Sequence, residues 1–227
     1  MASPLRRWPE GERPRERLIQ QGAEALSNAE LLAILLRTGS RGQSAVGLAM
    51  QLLTDHGESL ARLLSLSATQ LMRRHGLGPA RATTLAAVIE LARRASHEQL
   101  QENAVLDNPE AVRDYLALTL RGQVREVFMV LFVNTRHRLI QADALFTGTL
   151  NQTTVYPREV LRRAIELDAA AVILAHNHPS GHPAPSAADR TLTRTLQTVL
   201  SQVDIQVLDH IIVAGGRQFS FAREGLL

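Results

Sequence analysis

The spacing of hydrophobic and polar residues changes near the middle of the chain. In the first half, apolar residues such as Leu31, Ile34 and Leu35 recur every three or four positions, which is the spacing of one helix face. In the second half there are short continuous apolar runs at 127–134 and 170–176, which are typical of strands buried on both faces. The pattern predicts a helical first half and a second half that mixes strands with helices.

Serine caps and glycines divide the first half into short helices. Ser27 stands directly before an apolar periodic segment, which predicts a helix that begins at Asn28 and ends before Gly39. The same reasoning predicts further helices at 45–54, at 59–64, after Ser67, and through the apolar segment from Leu85 to Leu91. We therefore expect a small all-α domain at the start of the chain.

Polar residues at 95–107 predict a hinge between two domains, 1–102 and 103–227. After the hinge, Asn108 and Pro109 are typical of a helix start, as the cap and the first helical residue. The later elements are predicted as strands at 127–134, 138–146 and 170–176, helices at 157–168 and 187–201, and strands near 205–214 and 217–221. This mixture predicts an α/β (α+β) domain with a mixed central sheet and flanking helices.

The turn before the last helix of the first domain contains Gly76 and Gly78, followed by Arg81. A helix, a Gly-x-Gly turn and a second helix resemble a helix-hairpin-helix motif, whose glycines expose backbone N–H groups that suit a phosphate. Gly76, Gly78 and Arg81 are therefore candidate residues for non-specific DNA binding. The alternative is a helical hairpin that packs against protein and uses its glycines for close approach.

Composition narrows the class of protein. Hydrophobic residues make up 45% of the 227 residues, and no apolar run approaches the roughly 18 residues of a membrane span. The absence of cysteine excludes disulfides and thiolate ligands, so a metal would have to be held by histidine and carboxylate. Since the N-terminus also lacks the apolar stretch of a signal peptide, we expect a cytoplasmic protein with no membrane partner. Composition does not indicate an oligomeric state.

Net charge adds little to this picture. The chain contains 25 basic residues, all of them arginine, against 22 acidic residues, which leaves a net charge of +3. Its isoelectric point near 10.4 follows from the scarcity of groups that titrate between neutrality and arginine. The high isoelectric point is therefore weak support for a nucleic-acid partner.

Candidate chemistry lies at the end of the apolar run that precedes His176. His176 and His178 are two positions apart, so in a strand their side chains face the same side while Asn177 faces the other. Ser186 and Asp189 follow a Pro- and Gly-rich loop, in the first turn of the next predicted helix. Two histidines and a carboxylate make a three-ligand zinc set with an open fourth position. A polar strand end and an N-terminal helix cap are the alternative interpretations.

Two further residues bear on this site. Glu126 opens an apolar strand, and its carboxylate could lie beside the metal and take a proton from the metal-bound water. The alternative is an exposed strand-entry carboxylate that forms an ion pair with Arg125. His182 lies in the loop after His178. We interpret it as a solvated loop residue, with a substitute ligand or a supporting group as the alternatives.

The order Glu126, His176-x-His178, seven residues, Ser186, two residues and Asp189 resembles the JAMM motif of JAB/MPN metalloproteases. The surrounding segments resemble the bacterial RadC family, also called UPF0758, along nearly the whole chain. Two of these segments are 26–39 and 175–181.

This resemblance implies an MPN fold and one Zn²⁺ per chain, bound by His176, His178 and Asp189. It implies that Glu126 acts as general base and then general acid, and that Ser186 hydrogen-bonds the developing oxyanion. The expected protein is a zinc-dependent hydrolase that cleaves an amide bond in a peptide or protein. The alternative is a DNA-binding accessory protein with a non-catalytic metal site.

Two positions qualify what the resemblance implies. Asn177 stands where eukaryotic JAMM isopeptidases usually carry serine or threonine, so their isopeptidase substrate is not carried over to this chain. Tyr156 stands where many relatives have histidine, and it is assigned no role.

Overall fold

The computed structural model describes residues 8–40, 42–120, 122–148 and 154–227. It divides into two compact units, with the boundary between Glu90 and Leu91. The helices are α1 (Pro14–Gln21), α2 (Asn28–Leu36), α3 (Ala45–Thr54), α4 (Leu60–Leu64), α5 (Ala68–Met72), α6 (Pro79–Glu102), α7 (Pro109–Leu120), α8 (Pro157–Glu166) and α9 (Ala187–Ser201). The strands are β1 (Val127–Val133), β2 (Leu139–Thr147), β3 (Ala171–Asn177), β4 (Gln206–Ala214) and β5 (Arg217–Ser220).

The first unit is helical, as the sequence predicts, and serine caps start its helices. The Ser27 hydroxyl accepts a hydrogen bond from the backbone N–H of Glu30, whose carboxylate in turn accepts from the Ser27 backbone. Such a reciprocal pair satisfies two backbone donors that the first turn of a helix leaves without partners. The helices enclose a leucine-rich core that includes Leu36, Leu48, Leu52, Leu63, Leu71 and Leu85.

Arg81 ties the predicted Gly-x-Gly turn to the end of helix α2. Its guanidinium donates to the carbonyl oxygens of Gly76, Thr38 and Gly39, the last two at 2.7 and 2.8 Å. Gly76 has a φ of +79°, and a Cβ there would lie 2.6 Å from a Leu48 methyl carbon, so a side chain is excluded. Gly76 and Arg81 thus have a packing role, while DNA binding by Gly76, Gly78 and Arg81 stays a prediction.

The second unit is built on a mixed sheet with the strand order β2-β1-β3-β4-β5 in the described part of the chain. Strands β1 and β2, β1 and β3, and β4 and β5 pair antiparallel, whereas β3 and β4 run parallel. Helix α9 makes the crossover that a parallel pair requires. This confirms the predicted α/β class with a mixed sheet.

The sheet is covered by helices on both faces. Alternate residues of a strand face opposite sides, so the apolar run of β1 supplies two separate cores. One core contains Leu116 of α7, and the other contains Val160 of α8 and Leu196 of α9. In β1, Met129, Leu131 and Val133 belong to the first core, and Phe128, Val130 and Phe132 to the second.

Helix α6 continues to Glu102, so the predicted hinge at 95–107 is wrong for residues 95–102. This stretch is polar, but four of its eight residues are Glu or Gln, which are strong helix formers. Leu100 near its end is buried in the same core as Tyr115 of α7. The boundary between the two units consequently falls inside a helix. Helix α1 was not predicted, since its sequence is mostly polar.

The length and polarity of a helix decide whether it can cross a membrane. Helix α6 is long enough to cross a bilayer, but its charged residues make it too polar. Within the described ranges, no helix combines the required length with sufficient apolar character.

Replacing Arg81 with alanine is expected to destabilise the first unit by about 1–3 kcal/mol, because the partly buried carbonyl oxygens of Gly76 and Gly39 lose a charged donor. Urea unfolding of the full chain would measure the change. Arg74→Ala is the matched control, since Arg74 is exposed, and it is expected to stay within about 0.5 kcal/mol. Equal effects of the two substitutions would contradict a packing role for Arg81.

Candidate metal centre

Strand pairing places the first histidine on the face of the sheet that carries α9. His176 lies at the end of β3, opposite Phe128 of β1, and is only 1% exposed. Val172 and Leu174 of the same strand pack in the core with α8 and α9, and alternation directs His176 to that side. His176 is therefore held in a buried position by regular sheet structure.

The β1–β3 register also brings Glu126 to the second histidine. Phe128 pairs with His176 in the antiparallel ladder, and Glu126, two residues before Phe128, lines the same cleft as His178. Between them, the Asn177 side chain accepts from the backbone N–H of Val127 at 2.8 Å. Glu126 is half-buried, and its charge contributes to raising the pKa of His178. The carboxylate and the histidine therefore belong to one site.

Asp189 reaches the histidines from the first turn of α9. Its Oδ1 lies 3.3 Å from His176 Nε2, and its Oδ2 lies 3.4 Å from His178 Nε2. The same Oδ2 accepts hydrogen bonds from the Ser186 backbone and hydroxyl, both at 2.7 Å. The Ser186 hydroxyl accepts from the Asp189 N–H, which completes a capping box. The cap that the sequence predicts is confirmed, and it positions a candidate ligand.

The three candidate ligands form one tight group. Their ligand atoms all lie within 4.8 Å of one another, and the Nε2 atoms of His176 and His178 are 2.9 Å apart. Two ring nitrogens this close repel each other unless a proton or a cation lies between their lone pairs. The donor set of two imidazoles and one carboxylate suits a borderline cation such as zinc. The His176, His178 and Asp189 group could therefore bind a metal ion, and it fits a JAMM-type site.

Interactions within the group shift the pKa values of Asp189 and His178. Burial alone would raise the pKa of Asp189, but hydrogen bonds with His176 and His178 outweigh burial and hold it far below its ordinary value. The hydrogen bond to Asp189 raises the pKa of His178, against the opposing effect of burial. Asp189 is therefore an ionised carboxylate, as a metal ligand has to be.

The outer nitrogen of each histidine has its own partner. His178 Nδ1 lies 2.8 Å from the carbonyl oxygen of His182, and a carbonyl can only accept. His178 therefore carries its proton on Nδ1 and directs Nε2 toward Asp189. Histidines that bind metals commonly donate their second N–H to a carbonyl in this way. His182 supports His178 through its backbone carbonyl. A supporting group was one of the alternatives that the sequence left open for His182.

Sequence reasoning missed two residues behind His176. His176 Nδ1 lies 2.8 Å from Nε2 of His210 in β4, and His210 Nδ1 lies 2.7 Å from the Thr193 hydroxyl in α9. Burial, followed by the charge of His176, keeps the pKa of His210 well below its ordinary value. A histidine inside the apolar run 207–214 was a signal in the sequence. Nothing in the sequence connected Thr193 with it.

The candidate site residues line a single open cleft of about 880 Å³. Glu126, Ser186 and the three candidate ligands all contribute to its surface. An apolar wall is formed by Phe128, Val155, Pro157 and Leu192. Tyr156 is half exposed, 6.1 Å from the Phe146 ring, and is not among the residues that line the cleft. Glu126, His176, His178, Ser186 and Asp189 are thus brought together, as the predicted motif requires.

Comparison with known proteins gives the same assignment. Residues 106–226 match the RadC-like JAB domain, and residues 5–83 match the UPF0758 N-terminal family. The chain is 55% identical over 225 residues to a UPF0758 protein of Stenotrophomonas maltophilia, which covers 99% of this chain and 96% of that protein. It is 51% identical over 220 residues to a UPF0758 protein of Nitrosomonas europaea, with 97% and 98% coverage.

The mixed sheet fits a JAB-type domain, and the His176, His178 and Asp189 group, which could bind a metal ion, fits a JAMM-type site. The chain belongs to the RadC-like JAB domain family, preceded by a UPF0758 N-terminal region. The resemblance drawn from the motif is confirmed along nearly the whole chain.

The substitution Asp189→Asn is expected to reduce the metal content of the purified protein from about one ion per chain to near zero. Asparagine can keep the helix cap through its side-chain oxygen, so the fold should be retained. Elemental analysis after dialysis would measure bound metal. His75→Ala is the control, because His75 is exposed and lies in the other unit. Unchanged metal content in Asp189→Asn would refute the ligand assignment.

Proposed function

We propose that this protein is a zinc-dependent hydrolase that cleaves an amide bond in a peptide or protein substrate. The observation that carries the proposal is the convergence of two imidazole Nε2 atoms and an ionised carboxylate in a cleft that Glu126 also lines. Membership of the RadC-like JAB family supports the same reaction class. The printed names of the relatives give no activity.

His176, His178 and Asp189 would hold one Zn²⁺ per chain. When bound, zinc supplies Lewis acidity, which polarises a carbonyl group and lowers the pKa of water to about 7. The protein keeps both histidine Nε2 atoms directed toward the Asp189 carboxylate. It holds that carboxylate in place through the backbone and the hydroxyl of Ser186.

Glu126 would act as general base and then as general acid. It lies two residues before Phe128, which pairs with His176, and it lines the same cleft as His178. A carboxylate in this position can accept a proton from the attacking water and return it to the leaving amine. General acid–base catalysis of this kind typically contributes a factor of about 10² to 10⁴.

Ser186 would stabilise the developing oxyanion, a role supported by its position in the cleft. In the structure its hydroxyl donates to Asp189 Oδ2, so this donor would have to turn from the carboxylate to the substrate. The backbone N–H of Ser186 also donates to Oδ2 and would continue to hold Asp189. The helix cap and the catalytic role can therefore alternate at one side chain.

Asn177 contributes to the frame of the site. Its side chain accepts from the Val127 N–H and donates to the Arg125 carbonyl at 3.0 Å, on the opposite side of β3 from the two histidines. These bonds fix the entry of β1 and, with it, the position of Glu126. Because Asn177 stands where eukaryotic JAMM isopeptidases usually carry serine or threonine, the proposed substrate is a peptide or protein amide without an isopeptide specificity.

Replacing Glu126 with glutamine is expected to lower kcat by about 10²- to 10⁴-fold, because the side chain can no longer take a proton. Zinc content should stay at the wild-type level, since Glu126 is not one of the proposed ligands. A peptide-library cleavage assay followed by mass spectrometry would compare the two proteins. Glu159→Gln, an exposed change on α8, is the control. Equal cleavage by wild type and Glu126→Gln would reject the mechanism.

A further inference from the structure

Behind the candidate metal ligands, buried polar groups form a closed ring of polar contacts. Starting from Asp189, the ring passes through the side chains of His176, His210 and Thr193 and returns to the Asp189 backbone carbonyl. His176, His210 and Thr193 are each 0–1% exposed. Because buried polar groups are satisfied by hydrogen bonds, the contacts among these side chains define where the protons lie.

Thr193 sets the direction of the ring. Its hydroxyl lies 2.6 Å from the Asp189 carbonyl oxygen and 2.7 Å from His210 Nδ1. A hydroxyl has one proton, and two oxygens at 2.6 Å repel each other unless that proton lies between them. Thr193 therefore donates to the carbonyl and accepts from His210, so the proton of His210 is on Nδ1.

His210 passes this constraint on to His176. A second proton on His210 would put a cation at a fully buried position stacked against Phe221, where the described hydrogen-bond partners of the imidazole ring are His176 and Thr193 and include no carboxylate. Its Nε2 consequently has a lone pair, and this lone pair accepts from His176 Nδ1 at 2.8 Å. The proton of His176 thus lies on the nitrogen that faces away from Asp189.

We propose that His210, oriented by Thr193, is a positioning residue that fixes His176 as its Nδ1-protonated tautomer and thereby presents the Nε2 lone pair to the metal. The inference rests on the proposed metal site. In effect, α9 supplies Asp189 as a ligand and, one turn later, Thr193 as the group that selects the tautomer of another ligand. His178 obtains the same tautomer independently, from the His182 carbonyl.

The tautomer can be observed directly in zinc-loaded protein. Long-range ¹H–¹⁵N correlation spectra of the full chain distinguish a protonated ring nitrogen from a bare one. His176, assigned by the loss of its signals in His176→Asn, should show a protonated Nδ1 and a bare Nε2. A wild-type spectrum with the proton on Nε2 would overturn the proposal.

Variants of Thr193 test the relay without a change in volume. In Thr193→Val, His210 loses its acceptor and its proton moves to Nε2, so the His176 Nδ1–H is expected to lose its own acceptor and to shift its signal in the zinc-loaded spectrum. Thr193→Ser should retain the wild-type pattern. Thr198→Val is the matched control, since Thr198 makes the same helical bond, to Arg194, but is exposed and touches no histidine. An unchanged His176 spectrum in Thr193→Val would overturn the relay.

Zinc affinity gives a second readout, by competition with a chromophoric chelator. His210→Leu should weaken zinc binding by about 10- to 100-fold, whereas His210→Gln, whose amide oxygen can accept from His176, should remain within about threefold of wild type. If His210→Leu does not fold, Thr193→Val provides the same comparison. Wild-type affinity in all variants would overturn the positioning role and leave the proposed function intact. A wild-type protein that binds no zinc would refute the proposed function and, with it, the positioning role that rests on it.

Discussion

The antiparallel pairing of β1 with β3 is the constraint on which the site depends. It opposes Phe128 to His176, so Glu126, two residues before Phe128, comes to line the same cleft as His178. The Asn177 side chain bonds the backbone at the entry of β1 and fixes the register where the regular ladder ends. Since a slip of one residue would turn every side chain to the opposite face, this register decides whether the carboxylate and the histidines share a cleft.

Helix α9 joins the stability of the fold to the chemistry of the site. Its first turn uses Ser186 and Asp189 as a capping box, and the same Asp189 carboxylate lies against both histidines. One turn later, Thr193 holds His210 behind His176. Apolar residues such as Leu196 and Leu200 bury the helix against the sheet. Asp189 and Thr193 are therefore both held by one packed helix.

Local patterns predicted most elements of the second unit, because each signal lies within a few residues. The apolar run at 170–176 and the Ser186-x-x-Asp189 pair located β3 and the start of α9 nearly to the residue. Polarity misled the prediction at 95–107, where helix formers continue α6 and only occasional residues such as Leu100 are buried. For the first unit, the sequence suggested Arg81 as a phosphate ligand, whereas folding brings its guanidinium to carbonyls of Thr38 and Gly39.

The sequence alone determined the class of fold and the candidate site residues, because strand alternation, cap spacing and motif order can be read along the chain. Tertiary structure alone decided the support behind the ligands. His210 lies 34 residues after His176, and Thr193 is on a different element from both. Their contacts arise from the parallel β3–β4 pairing and from the packing of α9 on the sheet. A tautomer depends on which donor or acceptor lies within about 3 Å, and only the folded chain specifies that.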